Sequence, residues 1–340
     1  MKRIFTILLA LAMVLGLCAC GTAASPAAEE APAATAEEPT SAWPDGTVQM
    51  IVAAKAGGGT DLVARILAEK MSAVAGEPVV VVNQTEGSGA VAFDTVMNDD
   101  ADTLQLGFFI PSFFTSYITG SVDMNPLTDF RCASFLACED ANFFVVPADS
   151  QFNTMEEVIE YAKANPGKLT LGLSLGSRTH FTVAEFAKAA GIEFKYVEAG
   201  NSADQITALL GGHIDITLLN ISNTVAYIQS GDMKALAVSG EPAERTEEIQ
   251  DVPTFADLGY KDLKCKCDFF VITGNSASDA TLERINAVMR DVLDDAKVKE
   301  DIKALGYALE AMDLESGRTA YEASYNIFAE VGTDLGVNAR

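Results

Sequence analysis

The sequence predicts an α/β protein of two lobes, each on an open, mostly parallel sheet, with a ligand cleft between them. Three observations predict it. Short apolar runs alternate with longer helical patterns. The alternation forms two similar series, and a small-residue loop stands at an equivalent strand-to-helix junction in each. Repeated βα units imply open sheets, with ligand sites outside the carboxyl ends of the strands.

The first series opens with a strand at Thr47–Ala54 and a helix at Thr60–Ala75, whose Leu62, Val63, Ile66, Leu67 and Met71 share one face. Val79–Val82 is continuously apolar, the pattern of a parallel strand covered on both faces. A helix at Ala90–Asn98 and a strand at Thr103–Phe109 repeat the rhythm. The second series begins near Phe143. Thr154-Met155-Glu156-Glu157 is a capping box, opening a helix that ends near Asn165-Pro166-Gly167. Leu169–Leu173 reads as a strand and Thr179–Ala190 as a helix closed by Gly191. Glu193–Glu198, Ser202–Leu210, Ile214–Asn220, Asn223–Gln229 and Ala235–Ser239 continue as strand, helix, strand, helix, strand. After Phe269–Ile272 come helices at Thr281–Leu293 and Glu315–Leu335, expected to return to the first lobe. The borders are then 43–145 plus 268–340 for lobe 1 and 146–267 for lobe 2.

The N-terminus is not fold. Lys2 and Arg3 precede an apolar run, Ile4–Leu17, which is shorter than the roughly 20 residues of a membrane-spanning helix. Residues 1–19 read as a secretion signal. Leu17-Cys18-Ala19-Cys20 resembles the bacterial lipobox, whose final Cys becomes a lipidated N-terminus. Cys20 fits that role, whereas bulky Leu17 before the cut disfavours Cys18. Residues 21–42, almost all Ala, Pro, Glu, Thr and Ser, form an expected disordered tether. The remaining 298 residues suffice for two domains and contain no further apolar run of spanning length. Net charge is −25, and loss of Lys2 and Arg3 makes it −27. Such a surface excludes nucleic acid as a partner and repels anions at long range, so an anionic ligand needs local donors. Cys132, Cys138, Cys265 and Cys267 remain; their spacings match structural zinc motifs poorly, and thiols and disulfides both stay open.

Two motifs carry chemistry. Ala56-Gly57-Gly58-Gly59-Thr60-Asp61 lies between the first strand and first helix, where bare backbone and a helix N-terminus offer N–H groups to an anion. The alternative is a turn capped by Thr60 or Asp61. No Gly-Lys-Ser/Thr follows, which excludes a Walker loop. Gly172-Leu173-Ser174-Leu175-Gly176 occupies the matching place in the second series and fits G-x-S-x-G, the nucleophile elbow of α/β-hydrolases. That reading needs an acid and then a His late in the chain. Only His180 and His213 exist, both within forty residues of Ser174, so an esterase through Ser174 stays the alternative.

The segments Trp43-Pro44-Asp45, Gly57-Gly58-Gly59-Thr60-Asp61-Leu62-Val63-Ala64-Arg65, Val82-Asn83 with Gly87-Ser88-Gly89, and Pro166-Gly167-Lys168-Leu169-Thr170 recur in a family order. Gly176-Ser177 with His180, Ala208–Asp215, Leu236-Ala237-Val238 and Asp251–Tyr260 extend it. Together they resemble the tripartite tricarboxylate transporter substrate-binding family, from Trp43 onward. The resemblance implies a type II periplasmic-binding-protein fold closing on a small carboxylate or other organic anion, without enzyme activity, cofactor or metal. It also implies a permease of a large and a small subunit as partner, and a monomeric receptor; ligand sensing is the other role kept open. Carried over, the first binding loop is Gly57, Gly58, Gly59, Thr60 and Asp61, and the second is Gly176, Ser177, Arg178, Thr179 and His180. The chain departs from the family where Lys55-Ala56 replaces the usual Pro, where Leu175 and Arg178 replace small residues, and where Glu198-Ala199-Gly200 replaces Tyr-Lys-Gly. Lys55 and Arg178 are therefore candidate anion contacts. Ser112, Ser174 and Gly200 complete the candidate set. The aromatic stretch Phe108–Tyr117 reads first as core and second as a cleft wall.

Overall fold

The computed structural model describes residues 43–99, 104–140, 142–239, 249–261, 263 and 265–337. The signal, Cys20 and the tether lie outside the described residues. Lobe 1 begins with β1 (Val48–Val52), α1 (Gly59–Ala75), β2 (Val79–Asn83), a 3-10 turn, α2 (Ala90–Met97), β3 (Gln105–Phe109), α3 (Ser112–Ile118) and β4 (Phe130–Asp140). The chain then crosses to β5 (Asn142–Pro147), α4 (Met155–Ala164), β6 (Thr170–Leu173), α5 (Arg178–Ala190) and β7 (Lys195–Glu198). α6 (Ser202–Leu210), β8 (Ile216–Asn220), α7 (Ile221–Gln229) and β9 (Met233–Val238) finish lobe 2. It returns through β10 (Phe269–Gly274), α8 (Asp279–Asp294), α9 (Ala296–Ala304), β11 (Tyr307–Ala311) and α10 (Leu314–Asp334). Among the described residues no helix is long and apolar enough to cross a membrane.

The sheets run β11-β4-β10-β3-β1-β2 and β7-β6-β8-β5-β9. Parallel pairing is confined to three strands in each, β2-β1-β3 and β7-β6-β8. Beyond them the pairing is antiparallel, beginning with the crossover strands β10 against β3 and β5 against β8. The proposed border at 145/146 falls inside β5, and the chain changes sheets between Asp140 and Asn142. β4, α3, α9 and β11 are elements that periodicity did not predict.

Both faces of each sheet are buried, which is why the central strands are apolar without alternation. In β10, Phe269 and Val271 face one core while Phe270 and Ile272 face the other. In β5, Phe144 and Val146 separate in the same way from Phe143 and Val145. The continuous valines of β2 mislead, because β2 is an edge strand and Val80 is 49% exposed. Phe113 and Phe114 turn into the core from α3, so the aromatic stretch is packing. Phe114 stacks on Phe270 at 4.8 Å and meets Tyr321 edge-on at 5.0 Å.

The C-terminal helices do return to lobe 1. Leu282, Ile285 and Met289 of α8 and Val298 of α9 fill the core under β1 and β10. α10 also reaches lobe 2. Its Phe328, fully buried, lies 6.2 Å from Phe114 of lobe 1 and 5.8 Å from Phe181 of α5. Asp334 pairs with Lys188 of α5. Truncating Phe328 removes a side chain that both lobes share. Phe328→Ala is expected to cost about 3–5 kcal/mol in urea unfolding, and Phe328→Leu less than half of that.

Candidate functional site

Two strand-to-helix loops at the carboxyl ends of β1 and β6 have the same backbone. Gly57 and Gly176 both take positive φ, +80° and +78°, a region that favours glycine. Gly58 N–H and Ser177 N–H donate to the carbonyls of Lys55 and Ser174, each at 3.1 Å. Gly58 and Ser177 are the N-caps of α1 and α5, with φ/ψ of −77°/163° and −74°/165°. Each positive-φ glycine then donates its N–H to the side chain four residues on: Gly57 to Asp61 Oδ2 at 2.7 Å, Gly176 to His180 Nδ1 at 3.1 Å.

The caps themselves differ. Ser177 Oγ accepts the His180 N–H, whereas Gly58 has no side chain and α1 starts without a side-chain cap. Neither Thr60 nor Asp61 caps that helix. Asp61, 1% exposed, accepts from Gly57 N–H, Arg65 Nε at 3.0 Å and Asn83 Nδ2 at 2.9 Å. Burial alone would raise its pKa, but those donors, Arg65 first, hold it below the ordinary value of 3.8. Asp61 thus shapes the first loop from beneath.

His180 does the same in lobe 2. It is buried, edge-on to Tyr196 at 4.8 Å, and its Nδ1 is occupied by the Gly176 N–H. Burial lowers its pKa below 6.5, partly offset by the nearby Glu198 carboxylate. With Nδ1 engaged, that nitrogen does not take a proton from Ser174, and His213 sits exposed in the turn before β8. Nδ1 of His180 thus serves its own loop rather than Ser174.

The loops sit where the lobes meet. A Cβ on Gly176 would lie 3.9 Å from Thr119 Cγ2, just after α3 in lobe 1. A Cβ on Gly306 would strike Ile221 at the start of α7, and one on Gly59 would lie 2.6 Å from the Tyr307 hydroxyl. The Gly306-Tyr307 turn thus touches the first loop on one side and a strand end of lobe 2 on the other. Lys55 is exposed beside the first loop, and Ser112 is half-buried at the start of α3. Gly200 is tied to the second loop by Glu198, whose carboxylate accepts Gly200 N–H at 3.0 Å and Leu175 N–H at 2.7 Å.

Residues 63–319 match the family described as tripartite tricarboxylate transporter family receptor. The chain belongs to that family. The receptor is 29% identical over 287 residues to a Cupriavidus necator protein encoded in the gbd 5′ region, covering 83% of this chain and 85% of the relative. It is 27% identical over 268 residues to protein BugT of Bordetella pertussis, covering 78% and 81%. Among solved structures, the periplasmic binding protein BugD aligns with TM-score 0.71 at 25% identity, over 87% of this chain and 99% of that one. A Rhodopseudomonas palustris protein solved with adipate aligns with TM-score 0.73 at 23% identity, over 86% and 98%. A second, with bound malate, aligns with TM-score 0.68 at 19% identity, over 85% and 99%. The two-lobed periplasmic-binding-protein fold is therefore that of the receptor.

Arg178 of the receptor opens α5 but is only 8% exposed, and its charge bears on the Cys265 thiol. Glu185 accepts the Cys265 N–H at 3.0 Å, and Thr182 Oγ1 donates to the Cys265 carbonyl at 3.1 Å. The four described cysteines are buried, and burial pushes the Cys132 thiol up to about 12. Sequence reasoning missed Glu198, Asn83 and Tyr307 as parts of the site. It also missed Gln84 and Asn220 beyond β2 and at the end of β8, whose Oε1 and Nδ2 are buried without a partner. Polar residues directly at a strand's carboxyl end were the available signal.

Two outcomes test the loop supports. Asp61→Ala leaves the Gly57 and Asn83 donors without their acceptor and is expected to cost about 1–3 kcal/mol in urea unfolding at pH 7. The folded pKa of Asp61 is depressed, so its charge-dependent stabilisation is complete above 3.8 and is lost as pH falls through the folded value. For His180 the folded pKa lies below 6.5, so the unfolded chain binds more protons between the two values. Stability is then expected to fall as pH drops from 6.5 through the folded pKa. The slope in a series of unfolding midpoints should flatten in His180→Gln.

Proposed function

We propose that this receptor is an extracytoplasmic lipoprotein, anchored through Cys20, that captures a small carboxylate between its lobes and delivers it to a permease of a large and a small subunit. The single observation that carries the ligand reading is the uncapped N-terminus of α1 at Gly58. Bare glycine backbone and first-turn N–H groups stand there beside exposed Lys55. Such a terminus attracts an anion by about half a unit charge and by its unshared donors. The adipate and malate carried by two fold neighbours support a carboxylate as that anion.

In this reading Gly57, Gly58, Gly59 and Thr60 present backbone to the ligand, while Asp61 only holds the loop. Ser177, Thr179 and Ser174 line the second loop, and buried Arg178 adds positive field at the start of α5. Ser112 and Gly200 flank the cleft. Closure of the lobes traps the ligand, and the closed form is what the permease reads. No step of this function breaks a covalent bond.

A thermal-unfolding screen against di- and tricarboxylates tests it. Ligand at about a hundred times its Kd adds about 2.7 kcal/mol, a rise of several degrees for a protein of this size. Gly58→Asp places a carboxylate where the pseudo-equivalent Ser177 already stands. It is expected to change stability by only a few tenths of a kcal/mol, as cap exchanges with glycine do. It should weaken the carboxylate hit about tenfold or more, and an unchanged affinity removes the first loop from the site.

A further inference from the structure

We propose that Glu198 makes the second loop the acceptor end of the cleft, so that this receptor selects a carboxylate that also carries an ammonium group. The inference rests on the carboxylate-receptor reading above and names the ligand class within it.

Two loops of one backbone design would ordinarily offer donors at both ends of the cleft, an arrangement suited to a dicarboxylate. The equivalence extends beneath the loops. Asp61 leans on Asn83 of β2 just as His180 leans on Tyr196 of β7. It breaks two residues further on, where lobe 1 has neutral Thr85 and lobe 2 has Glu198. The Glu198 carboxylate takes one N–H from the β6–α5 loop, Leu175, and one from the β7–α6 loop, Gly200. Both oxygens are thereby fixed, and the residue remains exposed. No Lys or Arg among the described residues forms an ion pair with it.

The consequences are additive. One backbone donor of the second loop, Leu175 N–H, and one of the adjoining β7–α6 loop, Gly200 N–H, are already satisfied, so a ligand carboxylate would find fewer there. It would also approach a fixed like charge and be repelled by it. An ammonium meets the opposite situation: a preorganised carboxylate that no Lys or Arg of the described residues pairs with. The donor end is left to lobe 1, with its uncapped α1 and exposed Lys55. A ligand with an anionic and a cationic group fits that polarity; a plain dicarboxylate fits half of it.

Titration calorimetry on the purified receptor with matched pairs tests this: succinate against aspartate, and adipate against 2-aminoadipate, each pair differing by one ammonium group. The amino member of at least one pair is expected to bind about tenfold tighter or more, a difference of about 1.4 kcal/mol. Glu198→Gln keeps the shape and one oxygen acceptor, and should bring the ratio within about threefold. Equal or tighter binding of the plain dicarboxylates to the unmodified receptor overturns the inference and leaves the carboxylate reading standing. So does a Glu198→Gln receptor that loses both affinities by the same factor, since a residue that only staples the loops acts that way. Binding of no member of either pair overturns the carboxylate reading itself. If Glu198→Gln does not fold, the ratio in the unmodified receptor decides alone.

Discussion

Each of the two strand-to-helix loops is tied by one hydrogen bond, from the N–H of a positive-φ glycine to the side chain four residues later. It holds the glycine at the point where the strand passes directly into the helix. The turn needs an acceptor that is itself held still, and the two lobes meet that need with different chemistry. Lobe 1 uses a carboxylate saturated by Arg65 and Asn83. Lobe 2 uses an imidazole whose pKa burial lowers and which Tyr196 meets edge-on. Glycine at both turns follows from φ; the identity of the acceptor does not, which is why Asp and His can fill equivalent places.

This division separates framework from recognition. The groups that fix the loops lie beneath them, buried and internally paired, so the groups above are free to vary. Gly58 against Ser177, Lys55 against Ser174 and Thr85 against Glu198 are differences of the second kind. They alter charge and side-chain hydrogen bonds around the loops, while φ and ψ of the two N-caps and the backbone bonds to the Lys55 and Ser174 carbonyls stay nearly the same. Homologous receptors with one fold can therefore serve different anions without rebuilding either sheet.

Much of this was legible in the sequence. The βα rhythm located most helices and strands because both faces of each sheet are buried, and the equivalence of Gly57–Asp61 with Gly176–His180 was visible as position. The errors have physical causes. Val79–Val82 looked central because an edge strand can stay apolar where α1 covers one face. The capping box at Thr154 was read correctly at Thr154 Oγ1, but Glu157 reaches past the cap to the Asn153 N–H. A complete box stands instead at Asn201 and Asp204. β4 and β11 were missed because antiparallel partners lie far apart in sequence and carry no local turn signal. For Asp61 and His180 the sequence left support and ligand contact both open, because nothing in a linear motif tells whether a polar side chain points up at a ligand or down at its own loop.

Helix α10 has a mechanical meaning beyond its packing. It belongs to lobe 1, yet Phe328 also contacts α5, and Asp334 is ion-paired to it. α5 is the helix whose first turn carries the second loop. One side chain, Phe328, thereby joins α5 to the lobe 1 core at Phe114. The last described helix thus ties the two lobes together behind the second loop, through one shared aromatic ring and one ion pair.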